Sequence, residues 1–111
     1  MKFPKSKPYR NKRLLISVAM MDCQVCGASA PGDAAHSNWA HHGKSMSRKA
    51  DDIYVAAMCR SCHTQLDFGS KLTKEERQAM WMDAWKKTVK RLVDEGNWPH
   101  DIDVPAEALE E

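Results

Sequence analysis

The fold class this sequence predicts is α+β: a small zinc-stabilised domain with a long C-terminal helix. Three observations lead there. Its four cysteines form two pairs of identical spacing, Cys23-Gln24-Val25-Cys26 and Cys59-Arg60-Ser61-Cys62, with none left over. A run rich in β-formers, Ile53 to Met58, delivers the chain to the second pair. From Thr73 onward the apolar residues recur at helical spacing for about twenty positions.

A chain of 111 residues is one domain by size, and a core that small is marginal without a metal, a disulfide or a partner. Two disulfides would require export. The basic stretch from Lys2 to Arg13 followed by Leu14 to Met21 imitates a signal peptide. It fails as one because the apolar run is short, Ser17 interrupts it, and no small-residue cleavage site precedes Asp22-Cys23. No segment has the length of a membrane span. The expectation is a cytoplasmic protein with reduced thiols that bind metal.

The formal charge of +2 hides a polarity along the chain. Residues 1–93 carry 17 Lys or Arg against 8 acids, whereas 94–111 carry 7 acids and no Lys or Arg. A basic body suits a polyanion such as nucleic acid, through phosphate contacts and counterion release. A solvated surface with compensating ends explains the charge about as well.

Residues 1–13 hold six basic residues, two prolines and no acid, the composition of a flexible basic arm. Leu14 to Met21 is too short for periodicity to separate helix from strand and is read as a short helix. Cys23-Gln24-Val25-Cys26-Gly27 is a zinc knuckle in which the glycine lets the backbone turn under the sulfurs. Pro31-Gly32 is a turn that launches a strand carrying Ala35-His36. Residues 40–52 form a long polar loop, and loops of that length in small domains are usually functional. After the second strand and second knuckle comes a helix over about 73–95. Thr73 and Glu76 make a capping box, and Gly96 marks the end. Its stripe of Met80, Trp81, Ala84, Trp85, Thr88, Val89, Leu92 and Val93 is read as core; exposed, the two tryptophans would instead suit an adaptor surface. Residues 14–96 make up the folded domain, and 97–111 an acidic C-terminal tail.

Two CxxC pairs 32 residues apart suit a tetrahedral four-cysteine zinc site. Such a site has no open position, so this zinc is structural and any catalysis must come from elsewhere. Four of the five histidines, His36, His41, His42 and His63, lie between the first knuckle and the long helix. His63 and Asp67 are spaced i, i+4 and project from one face of a short helix following the knuckle. A hard divalent cation bound there would keep open positions for water and phosphate oxygen.

The order of parts is knuckle, strand with Ala-His, long polar loop, strand, knuckle, then Cys62-His63 with Asp67 four residues after the histidine. With Ala35-His36-Ser37-Asn38, the loop from His42 to Asp52 and the segment from Met58 to Asp67, this arrangement resembles the HNH, or ββα-metal, endonucleases. It is most similar to the small phage and prophage members with a four-cysteine zinc clasp, a group that includes a RecA-dependent phage nuclease. The resemblance covers about residues 22–69. It implies a ββα-metal fold and a DNA endonuclease of low sequence specificity, working in recombination, replication or packaging inside a bacterial host cell. A recombination or packaging protein would be a natural partner. By position, His36 would be the general base that activates water. His63 and Asp67 would hold the catalytic cation, with Mg²⁺ or Mn²⁺ favoured because Asp67 stands where many members have His. Ala35 replaces a ligand that many members carry, leaving water, His41, His42 or Asp33 as substitutes. Asn38, Asp51 and Asp52 are the candidates for the residue that steadies the loop. Lys44, Arg48, Lys49 and Arg60 would hold DNA backbone. The rival reading is a zinc-dependent nucleic-acid-binding module without catalysis.

Overall fold

The computed structural model describes residues 8–69 and 71–110. Helix α1 spans Lys12–Ala19 and begins where the Asn11 side chain accepts a hydrogen bond from the Leu14 amide, the ordinary job of an Asn N-cap. Leu14 and Val18, one turn apart, are its buried face. The expected helix therefore forms, and it starts earlier than the apolar run because the cap lies inside the basic stretch.

Strands β1 (Asp33–His36) and β2 (Val55–Met58) pair antiparallel, with Asp33 opposite Met58 and His36 opposite Val55. The second strand is shorter than its β-rich run, since Ile53 and Tyr54 belong to the preceding turn. All four residues of β2 are buried, because the sheet is covered on both faces. Leu14 and Val18 of α1 pack with Val55 and Ala57 on one side. Trp81, Ala84, Trp85 and Val89 pack with Ala35, Ala56 and Met58 on the other. A strand buried on both faces reads as an unbroken apolar run, which is what Val55-Ala56-Ala57-Met58 is.

Helix α2 (Arg60–Phe68) follows β2 at once, and α3 (Lys74–Asp94) crosses the sheet. The capping box forms as expected, with the Thr73 hydroxyl on the Glu76 amide and the Glu76 carboxylate on the Thr73 amide. At the far end Asn97 N–H reaches Leu92 O and Gly96 N–H reaches Val93 O. This Schellman closure needs the positive φ of Gly96, +75°. The small residues of the sheet let α3 come close enough for direct bonds. Trp81 Nε1 donates to Ala35 O at 2.8 Å and Trp85 Nε1 to Ile53 O at 3.0 Å. Thr88 Oγ1 accepts the Ala57 amide and donates to Ala84 O. Both tryptophans are buried, so their stripe is core except at its end, where Val93 is exposed, and the adaptor surface the tryptophans would have made does not exist.

Both ends of the described chain pack onto the domain. The basic arm is not flexible through residue 13: Lys12 and Arg13 are helical, and Arg10 spreads its guanidinium over the carbonyls of Lys49 and Ala50 at 3.0 and 2.7 Å. These are loop carbonyls that no strand pairs, and an arginine fork satisfies several at once. Residues 1–7 of the arm lie outside the described residues. The acidic segment also packs. Trp98 Nε1 donates to Ile102 O, and a 3-10 turn at Ala106–Leu109 buries Ala108 against α3. The polar loop is closed on itself as well, by a 3-10 turn at Ala40–His42, a bridge between Ser45 and Arg48, and a bond from the Asp51 amide to His42 O. Gly43 turns this loop at φ +99°, and a Cβ there would stand 2.8 Å from Asp51 Oδ1.

Candidate functional site

Cys23, Cys26, Cys59 and Cys62 converge until their sulfur atoms lie within 4.8 Å of one another. Cys26 Sγ and Cys59 Sγ are 3.7 Å apart. That is far longer than a disulfide, about 2.0 Å. It matches the edge of a tetrahedron of sulfurs about 2.3 Å from a central zinc, about 3.8 Å. Backbone amides already point at the sulfurs, those of Val25 and Cys26 at Cys23 and that of Cys62 at Cys59. Burial pushes the Cys23 thiol up, but the amides of Cys26, Cys59 and Val25 outweigh it and bring the pKa down to about 6. Cys62 is pushed well up, first by burial and then by its sulfur neighbours. Four sulfurs so placed resist ionising together unless a cation neutralises them, so the cluster fits a structural metal such as zinc. The cluster joins the chain entering the sheet to the start of α2, where Cys59 is both a member of it and the N-cap.

His63 stands on the first turn of α2 and Asp67 one turn later, with His63 Nε2 3.3 Å from Asp67 Oδ2. The other ring nitrogen, Nδ1, lies 2.9 Å from Asp33 Oδ2 at the start of β1. Of the substitutes for the missing ligand, Asp33 alone reaches this pair, and it does so behind the imidazole. A carboxylate on Nδ1 fixes the ring and leaves Nε2 with Asp67 to face a cation.

His36, at the end of β1, is largely buried and its Nε2 lies 2.9 Å from Asp52 Oδ1. Among Asn38, Asp51 and Asp52, Asp52 is the one that contacts it. Asp52 is buried, and its second oxygen accepts the Asn11 amide at 2.8 Å while Arg10 approaches the first at 3.4 Å. Burial lowers the His36 pKa below its ordinary value; Asp52 works against this, while Lys49 and Arg10 add to it. Burial thus favours the uncharged ring. A cleft of about 430 Å³ is lined by His36, Asn38, Asp67, Lys74, Arg77 and Trp81 among others. His63 joins it only through Asp67.

The other expected residues separate. His42 does not approach the His63 and Asp67 pair. The 3-10 turn directs its ring inward, where it stacks on Tyr54 at 3.9 Å between centroids, with Nδ1 2.6 Å from Ser37 Oγ and Nε2 2.8 Å from Glu107 Oε1. Burial lowers its pKa, against the pull of Glu107. Arg60 is exposed and paired with Asp33 at 3.1 Å. Lys44 donates to the Ser45 carbonyl, Lys49 is exposed near His36, and Arg48 is half-buried in the loop turn. The cations lining the cleft, Lys74 and Arg77, come from α3. Nothing in their local pattern marks them, because the first turns of an amphipathic helix carry charge for many reasons.

Among the described residues no helix is long and apolar enough to cross a membrane. A family profile described as "Protein of unknown function (DUF968)" spans residues 1–96, and the chain belongs to that family. No curated protein and no solved structure matches it.

Proposed function

We propose that this DUF968 chain is a metal-dependent DNA endonuclease of the HNH type, in which a neutral histidine activates water against a phosphodiester. The observation that carries the reading is the cleft shared by His36, Asp67, Lys74 and Arg77. It gathers a base, a metal-type carboxylate and two phosphate-binding cations in one open depression.

The chemistry follows from the residues. Asp52 accepts a hydrogen bond from His36 Nε2–H, which leaves the lone pair on Nδ1. Nδ1 takes a proton from water as its oxygen bonds to phosphorus. The bond from phosphorus to the 3′ oxygen breaks, and that oxygen leaves and is protonated from solvent. Lys74 and Arg77 hold phosphate oxygens by charge, without reading bases. Asp67 and His63 Nε2 fit a divalent cation such as Mg²⁺ or Mn²⁺, which when bound would neutralise charge developing on the phosphate. Asp33 keeps the His63 ring in the orientation this needs. The four-cysteine clasp sets where α2 begins, and therefore where His63 and Asp67 point.

Conversion of supercoiled plasmid to relaxed or linear form, with Mg²⁺ or Mn²⁺ and not with EDTA, is the expected activity. His36→Ala should abolish it while leaving the fold intact. Undiminished cleavage by that variant would remove His36 from its role. One observation favours a second reading, binding without cleavage: both ring nitrogens of His63 face carboxylates. DNA retained at low salt and never cut with any divalent metal would select it.

A further inference from the structure

We propose that His41, His42 and Glu107 form a second, separate transition-metal site that ties the C-terminal segment to the polar loop. The inference does not depend on nuclease activity. A nitrogen of each imidazole and an oxygen of the carboxylate lie within 4.8 Å of one another, the one group of this kind among the described residues besides the four cysteines. Glu107 spans the two rings, with Oε1 2.8 Å from His42 Nε2 and Oε2 3.4 Å from His41 Nε2.

Two of the ligands are held in place before any ion arrives. The buried His42 ring stacks on Tyr54 at an interplanar angle of 7° and has the ring of Trp85 beside it. Its Nδ1 meets Ser37 Oγ, which already accepts the Trp39 amide. Glu107 Oε1 can only accept, so Nε2–H donates to it and Nδ1 accepts from the Ser37 hydroxyl; a metal taking Nε2 would shift the ring proton to Nδ1, which can then donate to Ser37 Oγ. Glu107 is fixed by its neighbour Ala108, which is buried against α3. His41 is exposed and closes the site from the solvent side.

Two imidazole nitrogens and one carboxylate oxygen are the donor set of zinc and of Co²⁺ or Ni²⁺, and not of Mg²⁺ or Ca²⁺. Three protein ligands leave a fourth position for water, unlike the closed cysteine clasp. Glu107 belongs to the part of the chain beyond the family match, which ends at residue 96. A metal here would couple that segment, through His42, to the loop that carries Asp52.

The test is metal titration of the full chain with Co²⁺ after removal of bound metal, read by absorbance and by metal content after desalting. After desalting, wild type should retain two equivalents, because a cation at His63 and Asp67, with only two protein ligands, is washed out. The first brings intense sulfur-to-cobalt charge-transfer bands. The second adds only weaker visible bands from nitrogen and oxygen ligands. His41→Ala, at an exposed position, and Glu107→Gln should each bind one equivalent, with the charge-transfer bands intact as evidence of a folded clasp. Loss of the second equivalent should also raise the rate at which a protease cuts within residues 97–110 by about tenfold or more. A single equivalent in wild type would mean that the three side chains form an ion pair only, and would overturn the proposal. So would a second equivalent bound equally by wild type and both variants.

Discussion

Replacing Asp52 by Asn tests the proposed base directly, because the change alters charge and hydrogen-bond polarity while keeping shape. In the native arrangement both carboxylate oxygens accept: Oδ1 from His36 and Arg10, Oδ2 from the Asn11 amide. An asparagine has one oxygen and one NH₂ to fill those places. If the oxygen serves Asn11, the NH₂ faces His36 Nε2 and donates to it, so the ring proton moves to Nδ1 and the basic lone pair is lost. If the oxygen serves His36, the NH₂ opposes the Asn11 amide, donor against donor, inside a buried site. Either way one charge-assisted hydrogen bond disappears, at a cost of about 1.5–3 kcal/mol. If that cost falls on the reactive tautomer, cleavage slows about 10- to 150-fold. The assay is single-turnover relaxation of plasmid with saturating Mn²⁺, beside ¹⁵N NMR of the His36 imidazole to report which nitrogen carries the proton. Asp52→Asn cutting within twofold of wild type, with the tautomer unchanged, would refute the assignment of Asp52 as the positioning residue.

Acidification should destabilise the fold in a defined window. The His36 pKa is depressed in the folded state by burial, so the unfolded chain takes up protons first as pH falls. The stability from keeping this ring neutral is complete above the unfolded value of about 6.5 and is lost as pH falls through the folded value, at up to about 1.4 kcal/mol per pH unit. His36→Asn should therefore flatten the fall in Tm between pH 6.5 and 5 relative to wild type; parallel curves would contradict the buried neutral imidazole. Cys26→Ser should reduce clasp-bound zinc from one per chain to none and leave a chain that lacks cooperative thermal unfolding, as measured by metal analysis and circular dichroism. A fully folded, zinc-free variant would sink the clasp. The double change Lys74→Gln with Arg77→Gln should weaken DNA binding and lower the slope of log K against log salt by nearly 2, about 0.9 for each duplex phosphate that is no longer neutralised. An unchanged slope would place the DNA elsewhere.

Local chemistry settled much of this protein from the sequence alone. The spacing of the cysteines announced the clasp, Thr73 and Glu76 began α3, Gly96 closed it, and the i, i+4 step from His63 to Asp67 joined those two side chains on α2. Each depends on residues a turn or two apart, whose geometry the helix or knuckle fixes by itself. Partner choice over distance was decided by the tertiary structure. Asp52 rather than Asn38 or Asp51 contacts His36 because the closed loop returns there, and Asn11 and Arg10 hold it from 41 and 42 residues away. His42 left the expected cation pair for Glu107, 65 residues along the chain, since the turn at Gly43 sends its ring into the core. In the sequence, Asp33 and Asp52 are each one of several candidates, and Glu107 is a surface-type carboxylate that nothing marks. Only the packing of α1, the loop and the C-terminal segment against the sheet gives each of them a histidine.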